Sequence, residues 1–263
     1  MLRRGTMFTA MVLGLGSVGC DSDRVGGPMD RPDAVAQLAA PRARFEVVKA
    51  SGDLIDAVTR FRALLGEPSN GVTPGPLAAG RREIRWDGAP PELTNNDAFP
   101  AAAFRPNGLI YDNLGTGLRV SDNDFSDIDP TYGAQFNSFS APKTFAPIGS
   151  EKSEVTFVVP GSDTPAGVTG FGVVFSDVDR VGAASLKLFT ADGKSLGQYH
   201  APVRSDANGH SFVGVVFQDP IVARVVISSG QAPLAAGERD LSDGGNRDLV
   251  VFDDLLFGEP QAF

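Results

Sequence analysis

Strand-length apolar runs follow one another through the second half of this chain with no helical period between them, and that succession restricts it to an all-β body. The runs are Glu154-Val-Thr-Phe-Val-Val159, Thr169-Gly-Phe-Gly-Val-Val-Phe175, Ser185-Leu-Lys-Leu-Phe189, Ser195-Leu-Gly-Gln-Tyr199, Phe212-Val-Gly-Val-Val-Phe217, Ile221-Val-Ala-Arg-Val-Val-Ile-Ser228 and Asp248-Leu-Val-Val-Phe-Asp-Asp-Leu-Leu-Phe257. They are rich in Val and Phe and are bounded by Gly, Pro, Asp and Asn, as strands separated by turns are. Ala191-Asp-Gly-Lys194 has hairpin-turn chemistry, and Pro220 stands at a strand start, where a missing N–H is tolerated. Upstream, Arg81-Arg-Glu-Ile-Arg-Trp-Asp-Gly88 reads as a strand ending in a turn, with Ile84 and Trp86 on its core face. Gly108–Tyr111 and Gly117–Val120 read as a short pair around Asp112-Asn113, and Phe145–Ile148 as one more strand. Eight or more strands without alternating helices exclude a parallel α/β fold. Runs apolar on both sides need cover on both faces, so the expected fold is a jelly-roll-like two-sheet β-sandwich.

One amphipathic helix precedes the strands. Leu54, Ile55, Val58, Phe61, Leu64 and Leu65 recur at helical spacing, Ser51 or Asp53 can cap the start, and Gly66 with Pro68 stops it. Before it, residues 20–44 are small, polar and aperiodic and read as a tether. Residues 1–19 carry Arg3 and Arg4, then an uncharged run that is short for a membrane span and ends in small residues, the form of an export signal. Ser17-Val-Gly-Cys20 resembles a bacterial lipobox, which implies cleavage before Cys20 and lipidation of that cysteine, with residues 45–263 forming a single sandwich domain. Cys20 is the chain's one cysteine, so no internal disulfide forms.

The formal charge of −9 argues against nucleic acid, which requires a basic footprint, and loss of Arg3 and Arg4 takes it to −11. No Gly-x-Ser-x-Gly elbow, phosphate loop or His-Glu-x-x-His pattern is present. His200 and His210 flank a turn-rich segment and read as surface residues. The expectation is therefore a protein that is not an enzyme.

The last run carries an anomaly. Asp253 and Asp254 stand side by side in a strand otherwise apolar on both faces, and a buried charge without a partner costs several kcal/mol, roughly. Arg82 and Arg85 are the expected partners of this buried acidic pair if the first and last strands are neighbours. Two acidic loops offer the oxygen-rich donors that calcium takes: Asp240, Asp243, Asn246 and Asp248 around a Gly pair, and Asp122, Asp124, Asp127 and Asp129. The second is not an EF-hand, having Asp127 at the sixth position and Gly133 at the twelfth. Asp177 and Asp179 close a strand and can meet either loop. Trp86, Tyr111 and Tyr132 are the candidate aromatics for a ligand surface, the tyrosines flanking the second acidic loop.

From Phe61 to Pro260 the chain resembles a group of exported bacterial proteins of unknown function, some of which carry PEP-CTERM sorting tails. The resemblance rests on Gly80-Arg-Arg-Glu-Ile-Arg-Trp-Asp-Gly88, Asp129-Pro-Thr-Tyr-Gly133, Phe145-Ala-Pro-Ile-Gly-Ser150, Gly170–Asp179, Phe212–Phe217, Val250–Asp254 and Phe257-Gly-Glu-Pro260. Attachment through Cys20, in place of an apolar C-terminal anchor, is the expectation here. A last strand bearing Asp beside a core Phe is also similar to the closing strand of carbohydrate-binding jelly rolls, where such an Asp helps hold calcium. Together these readings describe an exported, membrane-anchored lipoprotein on the periplasmic face or cell surface. It is expected to act as a binding or envelope-interaction module, with a glycan or an envelope protein as partner and calcium as the one candidate cofactor. A purely structural surface lipoprotein is the alternative, and a carbohydrate-active hydrolase the third reading, since many carboxylate pairs exist.

Overall fold

The computed structural model describes residues 44–263. The expected signal segment, Cys20 and the tether up to residue 43 lie outside the described residues. In chain order the elements are β1 (Phe45–Ser51), α1 (Ile55–Leu65), β2 (Arg81–Ile84), β3 (Leu109–Asn113), β4 (Gly117–Ser121), β5 (Thr144–Ile148) and β6 (Lys152–Val158). They continue as β7 (Pro165–Gly167), β8 (Gly170–Ser176), β9 (Ala184–Phe189), β10 (Ser195–His200), β11 (His210–Phe217), β12 (Arg224–Ser229), β13 (Val251–Gly258) and β14 (Gln261–Ala262). The first sheet runs β1-β11-β8-β13-β5-β4, with β2 also on β13; the second runs β10-β9-β12-β6-β7-β14, with β3 also on β6. Every pairing between these strands is antiparallel, and the all-β two-sheet sandwich expected of the apolar runs is the observed fold.

Pleat periodicity decides which side chains fill the interior. In β8, Phe171, Val173 and Phe175 point between the sheets, and Phe252, Leu255 and Phe257 of β13 join them. Val155 and Phe157 of β6, and Val225 and Ile227 of β12, close the core from the opposite sheet. Each buried Phe contributes about 1.5–3 kcal/mol relative to exposure. The strands apolar on both sides are those whose second face is also covered. Val174, Phe212 and Leu256 turn outward beneath α1, where Leu54, Val58, Phe61 and Leu65 meet them. Gly172 and Gly214 are directly paired in β8 and β11, and the Phe61 ring lies on the hollow they leave. A Cβ at Gly214 would stand 2.4 Å from a Phe61 ring carbon, so the missing side chains permit the helix to approach. Ile55, expected on the apolar stripe, is exposed, because the helix starts there and Leu54 takes the inward place. The Asp53 carboxylate accepts the Ile55 N–H at 3.0 Å.

Two local expectations change. The strand read over Arg81–Gly88 is shorter: β2 ends at Ile84 and Trp86–Gly88 is a 3-10 turn. The turn carries Trp86 into the core, stacked on Phe145 with centroids 3.9 Å apart. The Gly108–Tyr111 and Gly117–Val120 segments do not pair with each other. β3 joins β6 in one sheet and β4 joins β5 in the other, each along a five-residue register. The second edge of β4 is met by residues 94–98, which leaves no side for β3.

The Gly-Glu-Pro sequence after β13 also finds its reason. Arg82, fully buried, donates from Nε and Nη2 to the two Glu259 carboxylate oxygens at 2.7 and 2.8 Å. Its remaining donors go to the Gly71 and Thr73 carbonyls, and Asn70 adds a bond to Glu259 at 2.8 Å. A bidentate, desolvated pair of this kind clamps β2 to the segment that follows β13, and removal of one partner strands the other charge. Glu259→Gln is expected to lower unfolding stability by about 3–5 kcal/mol, read from the shift in urea midpoint. A change under about 1 kcal/mol would show that the pair adds little.

Candidate functional site

β4, β8 and β12 end, and β5, β9, β11 and β13 begin, at the same end of the sandwich. The irregular segments there bind one another. Phe125, Tyr132 and Phe136 pack with Leu234, Leu249 and Val251 in a small core of their own. The Tyr132 hydroxyl lies 2.9 and 2.8 Å from the Ala235 and Glu238 carbonyls, Asp129 accepts the Gly237 N–H at 2.8 Å, and the Asn208 N–H reaches the Gln135 carbonyl at 3.0 Å. A loop cap results, in which each segment is fixed by side chains of another.

Four carboxylates converge inside the cap. Asp177 follows β8 in a left-handed backbone conformation (φ +67°), which Asp tolerates better than most residues. Asp179 lies two residues on, and Asp240 and Asp248 come from the loop before β13. Asp177, Asp179 and Asp240 each offer an oxygen within 4.8 Å of the others. Asp240 accepts N–H bonds from Leu249 at 2.7 Å and Ser242 at 2.6 Å. Asp248 Oδ2 accepts those of Asp179 at 2.9 Å and Arg180 at 2.6 Å. The Gln135 carboxamide touches Asp177, Asp240 and Ser242. Asp177 Oδ1, Asp179 Oδ1 and Asp248 Oδ1 are buried without a hydrogen-bond partner. Among the described residues, no Lys or Arg nitrogen lies within 4.0 Å of these four carboxylates. Burial first, and then the neighbouring acids, push Asp177 up to about 8 against the pull of Gln135. Burial pushes Asp248 up to about 7 and Asp179 upward as well. The arrangement can take up protons or share one hard cation.

The expected calcium loops divide. Asp240 and Asp248 enter this cluster, joined by Asp177 and Asp179. Asp243 is half-buried with Arg239 3.8 Å away, and Asn246 is exposed, its carbonyl accepting from Arg180. The Asp122–Asp129 run does not gather. Asp122 accepts from Asn95 at 2.6 Å, Asp127 pairs with Arg119, Asp129 caps Thr131 and Gly237, and Asp124 sits in a left-handed turn. Gln135 is the participant that sequence reading misses; nothing in its neighbourhood marks it.

Trp86, Tyr111 and Tyr132, expected as ligand-surface aromatics, are all buried. Trp86 donates its indole N–H to the Asp253 carbonyl at 2.9 Å, and the Tyr111 hydroxyl meets the Ser153 hydroxyl at 2.5 Å. Their rings are spent on packing, so none offers a stacking platform. His200 and His210 are half-buried at the ends of β10 and β11.

Asp253 and Asp254 are both buried. In the register with β8, Phe252 faces Phe175 and Leu255 faces Val173, so the two acids oppose Val174 alone in a bulge. The bulge lets both leave the inner face while Phe252 and Leu255 stay in it. Asp253 Oδ2 accepts the N–H groups of Phe139 and Ser140, and the Ser140 hydroxyl reaches both carboxylates. Arg85 and Arg62 stand 3.8 and 4.0 Å from Asp254 Oδ2, held back by their bonds to Glu83. Arg82, the other expected partner, is committed to Glu259. Burial, then the mutual repulsion of the pair, raises Asp253, and burial raises Asp254.

No protein-family model matches the chain, and no curated protein matches it.

Because the pair holds protons more tightly folded than unfolded, its contribution to stability is complete below the ordinary carboxylate range, near 4. It is lost as pH rises through the folded values. Asp253→Asn keeps acceptors for the Phe139 and Ser140 N–H groups and removes one titrating site. It is expected to reduce the fall in urea midpoint between about pH 5 and about pH 8, worth about 1–3 kcal/mol. An unchanged slope would mean that the pair is ionised throughout.

Proposed function

We propose that this chain is an exported, lipid-anchored β-sandwich that serves as a non-catalytic binding or envelope-interaction module and meets its partner through the loop cap. The observation that carries the reading is the cap itself: segments around residues 121–140, 177–182, 204–209 and 230–249 are cross-tied at one end of a rigid sandwich. Loops fixed on a strand scaffold are a common way to present a recognition surface. The partner class is polar, an envelope glycan or an envelope protein, because the cap offers amides, carbonyls and arginines. Arg180, Gln231, Asn246 and Arg247 line an open recess of about 270 Å³ on it. Anchoring is supported by the Arg3-Arg4 start, the apolar run and the lipobox-like Ser17-Val-Gly-Cys20.

Both halves are testable. Cys20→Ser is expected to move the protein from the membrane fraction to the soluble exported fraction; continued membrane association would remove the lipid assignment. Binding to immobilised envelope polysaccharide and envelope protein is expected to fall at least about tenfold in Arg180→Ala/Arg247→Ala, roughly 1.4 kcal/mol or more. Equal binding by the variant would place the interaction surface elsewhere.

A further inference from the structure

We infer that Asp177, Asp179 and Asp240, with Asp248 beside them holding the Asp179 and Arg180 backbone, form a calcium site that fastens the loop before β13 to the end of β8. Ligand oxygens of one calcium ion stand 2.3–2.6 Å from it, roughly, so any two lie within about 5 Å of each other. The oxygens of Asp177, Asp179 and Asp240 satisfy that limit, all within 4.8 Å. Convergence of acids is not sufficient by itself, since turns gather them for other reasons. The second observation is the unpartnered oxygens. Asp177 and Asp248 are fully buried, yet Asp177 Oδ1 and Asp248 Oδ1 make no hydrogen bond, and Asp179 Oδ1 is buried in the same condition. The other oxygens of Asp177 and Asp248 are bonded, to Gln135 and to the Asp179 and Arg180 N–H groups, which orients these side chains. Among the described residues no Lys or Arg nitrogen lies within 4.0 Å of these carboxylates, and Arg180, whose charge acts on Asp179, spends its guanidinium on Gln231 and the Asn246 carbonyl.

The chemistry of the donors selects the ion. All are oxygens, without a thiolate or imidazole, which disfavours zinc and suits a hard cation. They come from two separate irregular segments, a pliable cage that tolerates the larger calcium better than the strict octahedron of magnesium. Gln135, whose carboxamide faces Asp177 and Asp240, would turn its carbonyl oxygen to the ion. The site is distinct from Asp253 and Asp254 on the closing strand, whose neighbours are Ser140 and arginines. It holds whether or not Cys20 carries a lipid.

The test is thermal unfolding and equilibrium dialysis of the full chain at neutral pH, stripped with EGTA and then given calcium. One bound calcium per chain and a rise of roughly 5–10 °C in Tm at millimolar calcium are expected, with a smaller response to magnesium. Asp177→Asn/Asp240→Asn, which removes two carboxylate ligands and keeps the side-chain shapes, is expected to bind at least about 100-fold more weakly, roughly 2.7 kcal/mol. If that variant does not fold, Asp179→Asn alone serves the same comparison. Asp122→Asn/Asp124→Asn is expected to respond as the unaltered protein does. No bound calcium, undiminished binding by the first variants, or loss confined to the Asp122/Asp124 variant would each overturn the assignment.

Discussion

Desolvation of β13 is the constraint on which the rest of this structure depends. The strand is buried along its whole length and hydrogen-bonded to β8 on one side and to β2 and β5 on the other. Its inner face supplies Phe252, Leu255 and Phe257 to the core, so its outer face must be sealed by something else. Leu256 is sealed by α1, and the two acids by the Phe139–Ser140 backbone. A bulge separates these demands, since without it Asp253 and Asp254 would fall on opposite faces and one carboxylate would enter a phenylalanine core.

The same logic explains where the polar groups of the sheet go. Glu83 gathers Arg62, Arg81 and Arg85, and Arg82 on the opposite pleat face is taken by Glu259. Alternation along four residues of β2 thus sends neighbouring arginines to different partners. One reaches the end of α1 and the other ties β2 to the segment that follows β13. A buried arginine is secured by bidentate geometry and backbone carbonyls, whereas Asp254 has the Ser140 hydroxyl, distant guanidinium groups and a raised proton affinity.

Charge is treated differently at the loop end. The cap has its own aromatic core and many cross-bonds, but its central carboxylates lack a neutralising side chain. A scaffold that pairs arginines directly with one buried acid group and makes no such pair within 4.0 Å at another leaves the second to be neutralised by protons or by a cation from outside the chain.

Much of the architecture was legible in the apolar runs themselves. Side chains alternate with a period of two, so Val- and Phe-rich runs separated by turn residues report strands, and runs without alternation report strands covered twice. Phe61 and its helical neighbours likewise announced α1, and Asp253-Asp254 announced a buried charge problem. Which partner solves that problem was not legible. Arg82 and Arg85 differ in pleat face, but only the pairing of β2 with β13 decides that one meets Glu259 and the other approaches Asp254. The exposure of Trp86, Tyr111 and Tyr132 was equally undetermined, because an aromatic ring suits a core or a surface and its neighbours choose. The sequence by itself determined a two-sheet sandwich with acids in excess, since periodicity and composition are local properties. Tertiary structure alone decided that Asp177 and Asp179 meet Asp240 and Asp248, about 60–70 residues away, because a carboxylate cluster is a property of distances that only strand register can set.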